Sequence, residues 1–397
     1  MDGGELPLHL LLPIALVPAI LIGELFRRMR LPSVVGQILA GVILGPVGIG
    51  LIAPLGGESE SQGGFHELAE IGLCVLLFKI GLETKVSQFT RVWRPAVGIA
   101  VLGMLVPFGA GLGIGGFLLE WTWSASLFLA AALTATSIGV TAAVISELGL
   151  EETSEARIIM GAAILDDILG LLLLSSLTAL SGAGGSPSWS VGGSFLQAVF
   201  FLGLALFVGP LVVRGIDRVS DWLRSEWVLL VLAFGFLLLM ASFAERVGLA
   251  AIIGSYAAGL VFSEKDQKQL ERGLTPLTEL FAPIFFILIG SSISFDALSG
   301  WGGLLAATAV LLVAVSSKLI PPFAIPGLSG KRLVIGSGLI PRGEVGLLFA
   351  QVGLSSALLS NSQYSLLAIV IVATTIAGPL LFRFSVTRQS THLSTNS

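Results

Sequence analysis

Charged residues are scarce in this chain of 397 residues, where Asp, Glu, Lys and Arg together make up 12% of the sequence. Globular domains usually contain about 25%. Hydrophobic residues make up 54%, and the mean hydropathy is +0.96. These values exclude an ordinary water-soluble domain and predict an all-α polytopic membrane protein. A single cysteine, Cys74, excludes an internal disulfide. The segment Met1–Glu5 lacks the basic residues of a signal peptide, so we expect the first apolar stretch to be kept as a membrane helix.

Thirteen apolar stretches occur along the chain, and most are close to the ~20 residues that a helix needs to cross a bilayer. Their limits are 8–26, 32–53, 66–84, 95–119, 122–146, 157–180, 192–213, 227–244, 249–263, 276–293, 301–323, 333–354 and 364–384. The ninth stretch is short. Because the count is odd, we expect the two termini to lie on opposite sides of the membrane.

Lysine and arginine residues fall almost entirely on one side of this predicted topology. With the N-terminus outside, only Arg246 is external, and Lys79, Lys318 and Arg342 fall within or near spans. The others lie in predicted cytoplasmic segments: Arg27, Arg28, Arg30, Lys85, Arg91, Arg94, Arg157, Arg214, Arg218, Arg224, Lys265, Lys268, Arg272, Lys331, Arg332, Arg383 and Arg388. Positively charged loops stay in the cytoplasm. The asymmetry therefore predicts a multi-pass protein of the cell (inner) membrane with an external N-terminus and a cytoplasmic C-terminus.

Two adjacent carboxylates, Asp166 and Asp167, lie in the middle of the sixth stretch. Each charge at the centre of a membrane helix costs about 2.5–3.5 kcal/mol on insertion scales, so the pair costs roughly 5–7 kcal/mol before any partner is counted. Acidic residues at this depth are usually functional and most often bind cations or protons. Adjacent residues of a helix point about 100° apart. One aspartate can therefore face a neighbouring helix with a basic residue, while the other faces a water-filled cavity.

Weak internal similarity relates two halves of the chain that are seven stretches apart. The aligned pairs are Gly36 with Gly254, Ala40 with Ala258, Gly41 with Gly259, Glu70 with Glu279, Ile80 with Ile289, Gly81 with Gly290, and the segment 166–170 with 374–378. An odd offset gives the halves opposite orientations. Inverted repeats are typical of secondary transporters, with binding near the midplane at the repeat interface. Chance similarity between apolar helices rich in glycine and alanine is the alternative.

Two stretches in matching positions of this repeat contain residues that interrupt helices. The fifth includes the polar run Thr134–Thr141, in which Thr136 and Ser137 are adjacent, and the twelfth includes Pro-Arg-Gly-Glu within Ile340–Gly346. Proline removes a backbone donor, and glycine permits unwinding. Paired interruptions in the two halves of a transporter indicate its binding site. For the hydroxyl run alone, close helix packing through small residues is an equally good explanation.

The remaining charged residues near the spans have more than one interpretation. Lys318 is either a lysine whose ammonium reaches the membrane surface or a buried partner of one aspartate. We interpret Arg342 and Glu344 as compensating charges around the second interruption, with a direct role in the ion path as the second choice. Glu83 is either an interfacial residue or a partner for Arg342, and Lys79 is interpreted as reaching the membrane surface.

Five motifs in chain order resemble those of monovalent cation/proton antiporters, and most closely those of bacterial NapA-type sodium/proton antiporters. They are Phe78–Thr84, Thr134–Thr141, Gly161–Gly170, Ala282–Phe286 and Pro341–Leu347. The Asp-Asp pair with a later lysine is the specific part of the resemblance, which extends from the first stretch to the last. Lys79 departs from the pattern, because an apolar residue is expected there.

The resemblance implies an NhaA-like antiporter fold with about 13 transmembrane helices, an inverted repeat and two crossed broken helices. It divides the chain into dimerisation helices 1–3 (1–94), core helices 4–6 (95–181), linker helix 7 (192–214), dimerisation helices 8–10 (227–293), core helices 11–13 (301–385) and a short cytoplasmic tail (386–397). Asp167 then corresponds to the carboxylate that carries the ion or proton, Asp166 to its neighbour and Lys318 to the charge partner of Asp166. Thr136, Ser137, Arg342 and Glu344 are placed at the crossing of the broken helices.

The function that the resemblance implies is secondary active exchange of Na⁺ or Li⁺ for H⁺, electrogenic, by alternating access, in a homodimer embedded in lipid. In this interpretation Asp167 is also the Na⁺ ligand. The alternatives are K⁺/H⁺ exchange and, in another class, a sodium-coupled organic-anion symporter of similar fold. No Gly-x-Gly-x-x-Gly nucleotide domain follows the last stretch, unlike in ligand-gated potassium-efflux relatives. We expect no enzymatic activity, no cofactor and no nucleic-acid partner.

Overall fold

The structure is a computed structural model that describes residues 7–29, 31–52, 60–83, 93–150, 153–178, 191–223, 226–328 and 332–394. Every regular element in these ranges is helical. The α-helices are α1 (Leu8–Arg28), α2 (Ser33–Leu44), α3 (Glu60–Glu83), α4 (Trp93–Gly113), α5 (Trp123–Ala132), α6 (Ile138–Glu147), α7 (Ser154–Thr178), α8 (Val191–Leu223), α9 (Glu226–Arg246), α10 (Ala251–Leu260), α11 (Glu264–Ser291), α12 (Gly300–Leu319), α13 (Pro321–Ala324), α14 (Arg332–Gly338), α15 (Glu344–Ser355) and α16 (Asn361–Ser394). A π-helical turn, Ile114–Leu118, follows α4, and a 3₁₀ turn, Phe295–Leu298, precedes α12.

The predicted all-α membrane architecture is confirmed, and each of the thirteen apolar stretches contains helix. Within the described residues, eight helical segments are long and apolar enough to cross a membrane, and four shorter apolar helices, α2, α5, α10 and α15, accompany them. Thirteen crossings, the inverted orientation of the repeat and the sidedness of the termini stay predictions. Part of the topology prediction, namely Met1–Glu5, Arg30, Lys85, Arg91, Arg224 and Lys331, lies outside the described residues.

The second apolar stretch, 32–53, forms a shorter helix than its composition predicts, because α2 ends at Leu44. Gly45 and Pro46 follow, and proline lacks the backbone donor that would continue the helix. Gly50 has a φ of 67°, which suits glycine and few other residues. The chain then folds back, so that the amides of Ile49 and Leu51 donate to the last carbonyls of α2. The carbonyls of Ile43 and Leu44, the last two residues of the helix, are thereby satisfied.

The chain forms two compact units, each assembled from separate segments. Unit 1 comprises Met1–Phe26, Gly36–Lys85 and Leu172–Ser292. Its apolar core includes Val75, Phe78 and Leu237, which are fully buried where α3, α9 and α11 pack together. Unit 2 comprises Arg27–Val35, Val86–Leu171 and Ile293–Ser397. Its core includes Ile159 from α7 and Ile335 from α14.

Glycines at repeat-related positions make equivalent close contacts within unit 1. A Cβ on Gly41 of α2 would overlap α11 at Ile287 and Gly290, and a Cβ on Gly259 of α10 would overlap α3 at Phe78 and Gly81. The neighbouring pair behaves alike, because Gly36 abuts α1 and Gly254 abuts α9. The residues that were aligned by sequence, Gly41 with Gly259 and Gly36 with Gly254, therefore occupy equivalent packing positions. This agreement supports an internal repeat over chance similarity.

We expect Gly259→Ala to lower the melting temperature of the purified protein, because the added methyl group would overlap the carbonyl oxygen of Phe78. Overpacking of this kind typically costs about 1–3 kcal/mol. Gly235→Ala is the matched control, since a Cβ on Gly235 in α9 meets no atom within 4 Å. Thermal unfolding in detergent measures both. Equal melting temperatures for the two variants would contradict the close packing of α3 and α10.

Candidate functional site

Both predicted interruptions are present in unit 2. The helical fifth stretch is broken between Ala132, where α5 ends, and Ile138, where α6 begins. The twelfth is broken between Gly338, the end of α14, and Glu344, the start of α15. Each break leaves one carboxyl-terminal and one amino-terminal helix end inside an apolar unit. Such ends carry unpaired carbonyls or amides and partial charges of about half a unit.

The two breaks hydrogen bond directly to each other. The amide of Ser137 donates to the carbonyl of Pro341 at 2.8 Å. The hydroxyl of Thr141 donates to the carbonyl of Gly338 at 2.9 Å, and that of Thr136 to the carbonyl of Leu339 at 3.4 Å. Hydroxyls from the first break therefore satisfy the carboxyl-terminal carbonyls of α14. The polar run 134–141 is thus explained by backbone compensation at the crossing as well as by close helix packing.

Arg342 lies at the centre of this crossing and is fully buried. Its Nη1 donates to the carbonyl oxygens of Leu133 and Ala135, the latter at 3.2 Å, and its Nη2 donates to that of Ala314 in α12 at 2.7 Å. We interpreted Arg342 as a compensating charge around the second break, and the structure gives its hydrogen-bond acceptors, which lie at the first break and in α12. The guanidinium belongs to the second break by sequence, yet it satisfies the carboxyl-terminal end of α5 in the first.

Asp166 and Lys318 form a buried ion pair in the same unit. Nζ of Lys318 lies 2.9 Å from Oδ2 of Asp166, and both side chains are at most 4% exposed. The hydroxyl of Thr136 donates to the same Oδ2 at 2.6 Å. One carboxylate oxygen thus accepts both an ammonium and a hydroxyl. Of the two interpretations of Lys318, the buried partner matches the geometry, whereas an ammonium at the membrane surface does not.

Asp167 is buried to the same degree as Asp166 but lies in a different environment. Its Oδ1 is inaccessible and has no hydrogen-bond donor among the described residues. The charged groups that act on it are the carboxylates of Glu344 and Asp166 and the ammonium of Lys318. Arg342 belongs to the same cluster, because it interacts with both Asp166 and Lys318. With Asp167 included, the cluster contains three acids and two bases and carries one uncompensated negative charge when all five are ionised. Such a site attracts a small cation or a proton.

The two other acidic candidates, Glu344 and Glu83, lie in different surroundings. Glu344 opens α15, where a carboxylate is favourable near the amino-terminal end of a helix. Glu83 in unit 1 forms an ion pair with Lys79 one helical turn away, at 3.8 Å. Among the described residues, the hydrogen-bond acceptors of Arg342 are backbone carbonyls, so the interpretation of Glu83 as its partner is not supported.

Sequence reasoning missed Thr375 of α16, whose hydroxyl donates to the carbonyl of Arg342 and to that of Ile371. The internal repeat contained a signal for it, because Thr374 and Thr375 align with Asp166 and Asp167. Equivalent positions of α7 and α16 thus both present polar side chains to a helix break. Thr136 connects the first break to Asp166, and Thr375 contacts the second.

Comparison with known protein families gives an extensive match. Residues 14–386 match the family described as the transmembrane sodium/hydrogen exchanger. The chain is 32% identical to the high-affinity Na⁺/H⁺ antiporter NhaS3 of Synechocystis over 90% of this chain and 85% of the relative. It is 30% identical to the Na⁺/H⁺-K⁺ antiporter GerN of Bacillus cereus over 92% of each.

A solved structure has the same fold. The sodium proton antiporter MjNhaP1 from Methanocaldococcus jannaschii superimposes with a TM-score of 0.73, covering 94% of this chain and 95% of that protein at 19% identity. The helical arrangement described above is therefore one that an experimentally determined membrane protein adopts.

We expect Lys318→Met to lower the melting temperature more than the double variant Lys318→Met with Asp166→Asn. The single change leaves the Asp166 carboxylate buried without its cation, and breaking a buried pair costs on the order of 3 kcal/mol. The double change removes both charges, and the hydroxyl of Thr136 can still donate to the amide oxygen. Thermal unfolding of the purified variants measures the difference. A double variant no more stable than the single one would contradict a charge-neutralising role for the pair.

Proposed function

From the premise that this chain belongs to the family of transmembrane sodium/hydrogen exchangers, we propose that it exchanges Na⁺ or Li⁺ for H⁺ at Asp167. Members of this family are secondary transporters and not enzymes. That it is a cation/proton antiporter follows from the family. The identity of the cation, the residues that bind it and the net charge moved per cycle are our proposals. They are supported by the geometry of unit 2.

The observation that carries the proposal is the unequal environment of the two aspartates. Asp166 accepts hydrogen bonds from Lys318 and Thr136 on its Oδ2, whereas Asp167 has no ion pair, and no donor to its buried Oδ1, among the described residues. A buried carboxylate without a partner is strongly unfavourable when charged. Binding a proton or a dehydrated cation removes that penalty, and the same oxygen cannot hold both at once. Competition of Na⁺ and H⁺ for one carboxylate is the elementary requirement of exchange.

Oxygen atoms around the aspartates suit a small hard cation. Carboxylate, hydroxyl and carbonyl oxygens are the preferred ligands of such ions. Oδ1 of Asp166 is likewise buried and has no donor in the described part of the chain, so each aspartate has an oxygen that can bind the ion. We propose that Asp167 is the principal ligand of the transported Na⁺, with Asp166 beside it. Arg342 and Glu344 stabilise the crossed breaks, and Thr136 and Ser137 position them.

We propose that transport is electrogenic, with two protons exchanged for one Na⁺. When Na⁺ approaches Asp166, the ammonium of Lys318 loses part of its counter-charge, and a proton can leave it in addition to the proton from Asp167. One net charge then crosses the membrane per cycle. Moving this charge across a membrane potential of 100 mV provides about 2.3 kcal/mol, and that free energy can sustain a roughly 50-fold additional Na⁺ gradient.

The conformational change that we propose is a movement between the predicted core helices and the predicted dimerisation helices. Alternating access would follow from movement of the core helices, 95–181 and 301–385, against the dimerisation helices, 1–94 and 227–293, with 192–214 as the linker. We propose a homodimer in the cell (inner) membrane with the N-terminus outside and the tail 386–397 in the cytoplasm. The described part of that tail continues α16 up to Ser394.

Potassium/proton exchange is the second candidate. One specific observation favours it, namely that the relative from Bacillus cereus is named as a Na⁺/H⁺-K⁺ antiporter. No observation favours the organic-anion symporter, and we do not propose it. Replacing Na⁺ by K⁺ in the flux measurements below separates the two cations.

We expect Asp167→Asn to abolish Na⁺ uptake driven by a pH gradient in proteoliposomes, because an amide neither releases a proton nor neutralises a bound cation. Asp296→Asn is the matched control, since this carboxylate is exposed and accepts the hydroxyl of Ser294 at a 3₁₀ turn of the same unit. The control should transport at the wild-type rate. Wild-type flux in Asp167→Asn would overturn the proposed site.

We expect Na⁺-triggered proton release to accelerate when the membrane potential is clamped, because uncompensated charge otherwise opposes each cycle. In Lys318→Gln the flux should become insensitive to clamping, since the second proton carrier is lost. Lys79→Gln, which removes the partly exposed lysine of α3, should behave like the wild type. A wild-type flux that clamping does not change would rule out the electrogenic proposal while leaving exchange at Asp167 intact.

A further inference from the structure

A basic cavity lies in unit 1, where the first turns of α9 and α11 meet. Its volume is about 380 Å³. The residues that line it include Trp227, Leu230, Lys265, Lys268, Arg272 and Gly273. Neither the exchange reaction nor the stability of the crossed breaks uses any of them.

The positive charge of this cavity comes from one face of α11. Lys265, Lys268 and Arg272 are spaced by three and four residues, which places them side by side on a helix. All three are exposed, and none forms an ion pair with a residue whose side chain the structure describes. Two acids near them on the same helix, whose side chains the structure describes, have other partners. Asp266 is buried and accepts the hydroxyl of Ser263, while Glu271 accepts the amide of Gln267 at 2.7 Å.

The opposite wall of the cavity is apolar and aromatic. A Cβ on Gly273 would lie 2.7 Å from Leu230, so α11 and α9 are in direct contact at the base of the cavity. Trp227 stands at the start of α9 and is 71% exposed. Tryptophan at the end of a membrane helix is typical of the headgroup level, where its ring meets both lipid and water. Leu230 continues this wall one turn further along the apolar helix α9.

We propose that this cavity binds the phosphate headgroup of an anionic membrane phospholipid. Basic pockets between membrane helices bind such headgroups, and the three basic side chains supply the charge for a phosphodiester. Trp227 and Leu230 distinguish a lipid from a free anion, because they offer apolar contact to the glycerol and the first methylenes of the acyl chains. Since one lipid contacts the starts of both α9 and α11, its binding stabilises unit 1. The proposal does not depend on which cation is exchanged.

The experiment uses the full-length protein in mild detergent and adds phosphatidylglycerol, phosphatidylcholine or inorganic phosphate. Thermal unfolding and native mass spectrometry measure stabilisation and bound lipid. We expect phosphatidylglycerol alone to raise the melting temperature. The triple variant Lys265→Gln, Lys268→Gln and Arg272→Gln should weaken its binding at least about tenfold, because each basic residue near an anionic lipid contributes roughly a fivefold factor.

The matched control, Arg214→Gln, Arg218→Gln and Arg388→Gln, removes three exposed positive charges outside the cavity and should bind phosphatidylglycerol like the wild type. A second variant, Trp227→Ala, retains every charge and should also weaken binding, which keeps the test decisive if the triple variant unfolds. Equal binding by the cavity and control variants would overturn the proposal. Equal stabilisation by phosphatidylcholine would contradict the proposal by showing that the lipid need not be anionic. Equal stabilisation by inorganic phosphate would contradict it by showing that the cavity binds a free anion and not a lipid.

Discussion

The free energy of a charge buried away from water is the constraint on which the rest of this structure depends. Unit 2 contains Asp166, Asp167, Lys318 and Arg342 at or below 3% exposure. An isolated charge in such surroundings is prohibitively unfavourable, so buried charges are paired, hydrogen bonded or neutralised. Three of these four residues have partners that satisfy this rule. Among the described residues Asp167 is the exception, and in the proposed function a transported ion or a proton supplies its partner.

The broken helices and the buried charges satisfy each other's hydrogen-bonding groups. A continuous helix would leave no unpaired backbone carbonyls at this depth, and Arg342 would then have no acceptors. The break after α5 exposes carbonyls that the guanidinium needs, and the guanidinium satisfies carbonyls that the break would otherwise leave unpaired. Thr136 extends this arrangement to Asp166. The hydroxyl of Thr136 lies within hydrogen-bond distance of both Asp166 and the carbonyl of Leu339, so the ion pair with Lys318 is in contact with both helix breaks.

Features that are indicated by a few neighbouring residues could be predicted from the sequence. Polar residues within apolar stretches predicted both helix breaks and the buried carboxylates, because each is expensive in a membrane and therefore rare by chance. The specific targets of long side chains could not be predicted. Arg342 crosses to the other break, and Glu83 pairs with Lys79, because these choices depend on which helices are neighbours. The early end of α2 was signalled by Gly45 and Pro46, but averaging hydropathy over the whole stretch obscured it.

Adjacent residues of identical chemistry are differentiated here by helix geometry alone. A rotation of about 100° separates the side chains of Asp166 and Asp167. It is enough to bring Asp166 beside Lys318 and Thr136, while Asp167 interacts electrostatically with Glu344. A single aspartate could not both hold the lysine and remain available to a cation, because the ammonium would already occupy the site. Two adjacent aspartates resolve this conflict. In the proposed mechanism Asp166 neutralises the lysine, Asp167 binds the ion or the proton, and the short separation lets an ion at either carboxylate act on both.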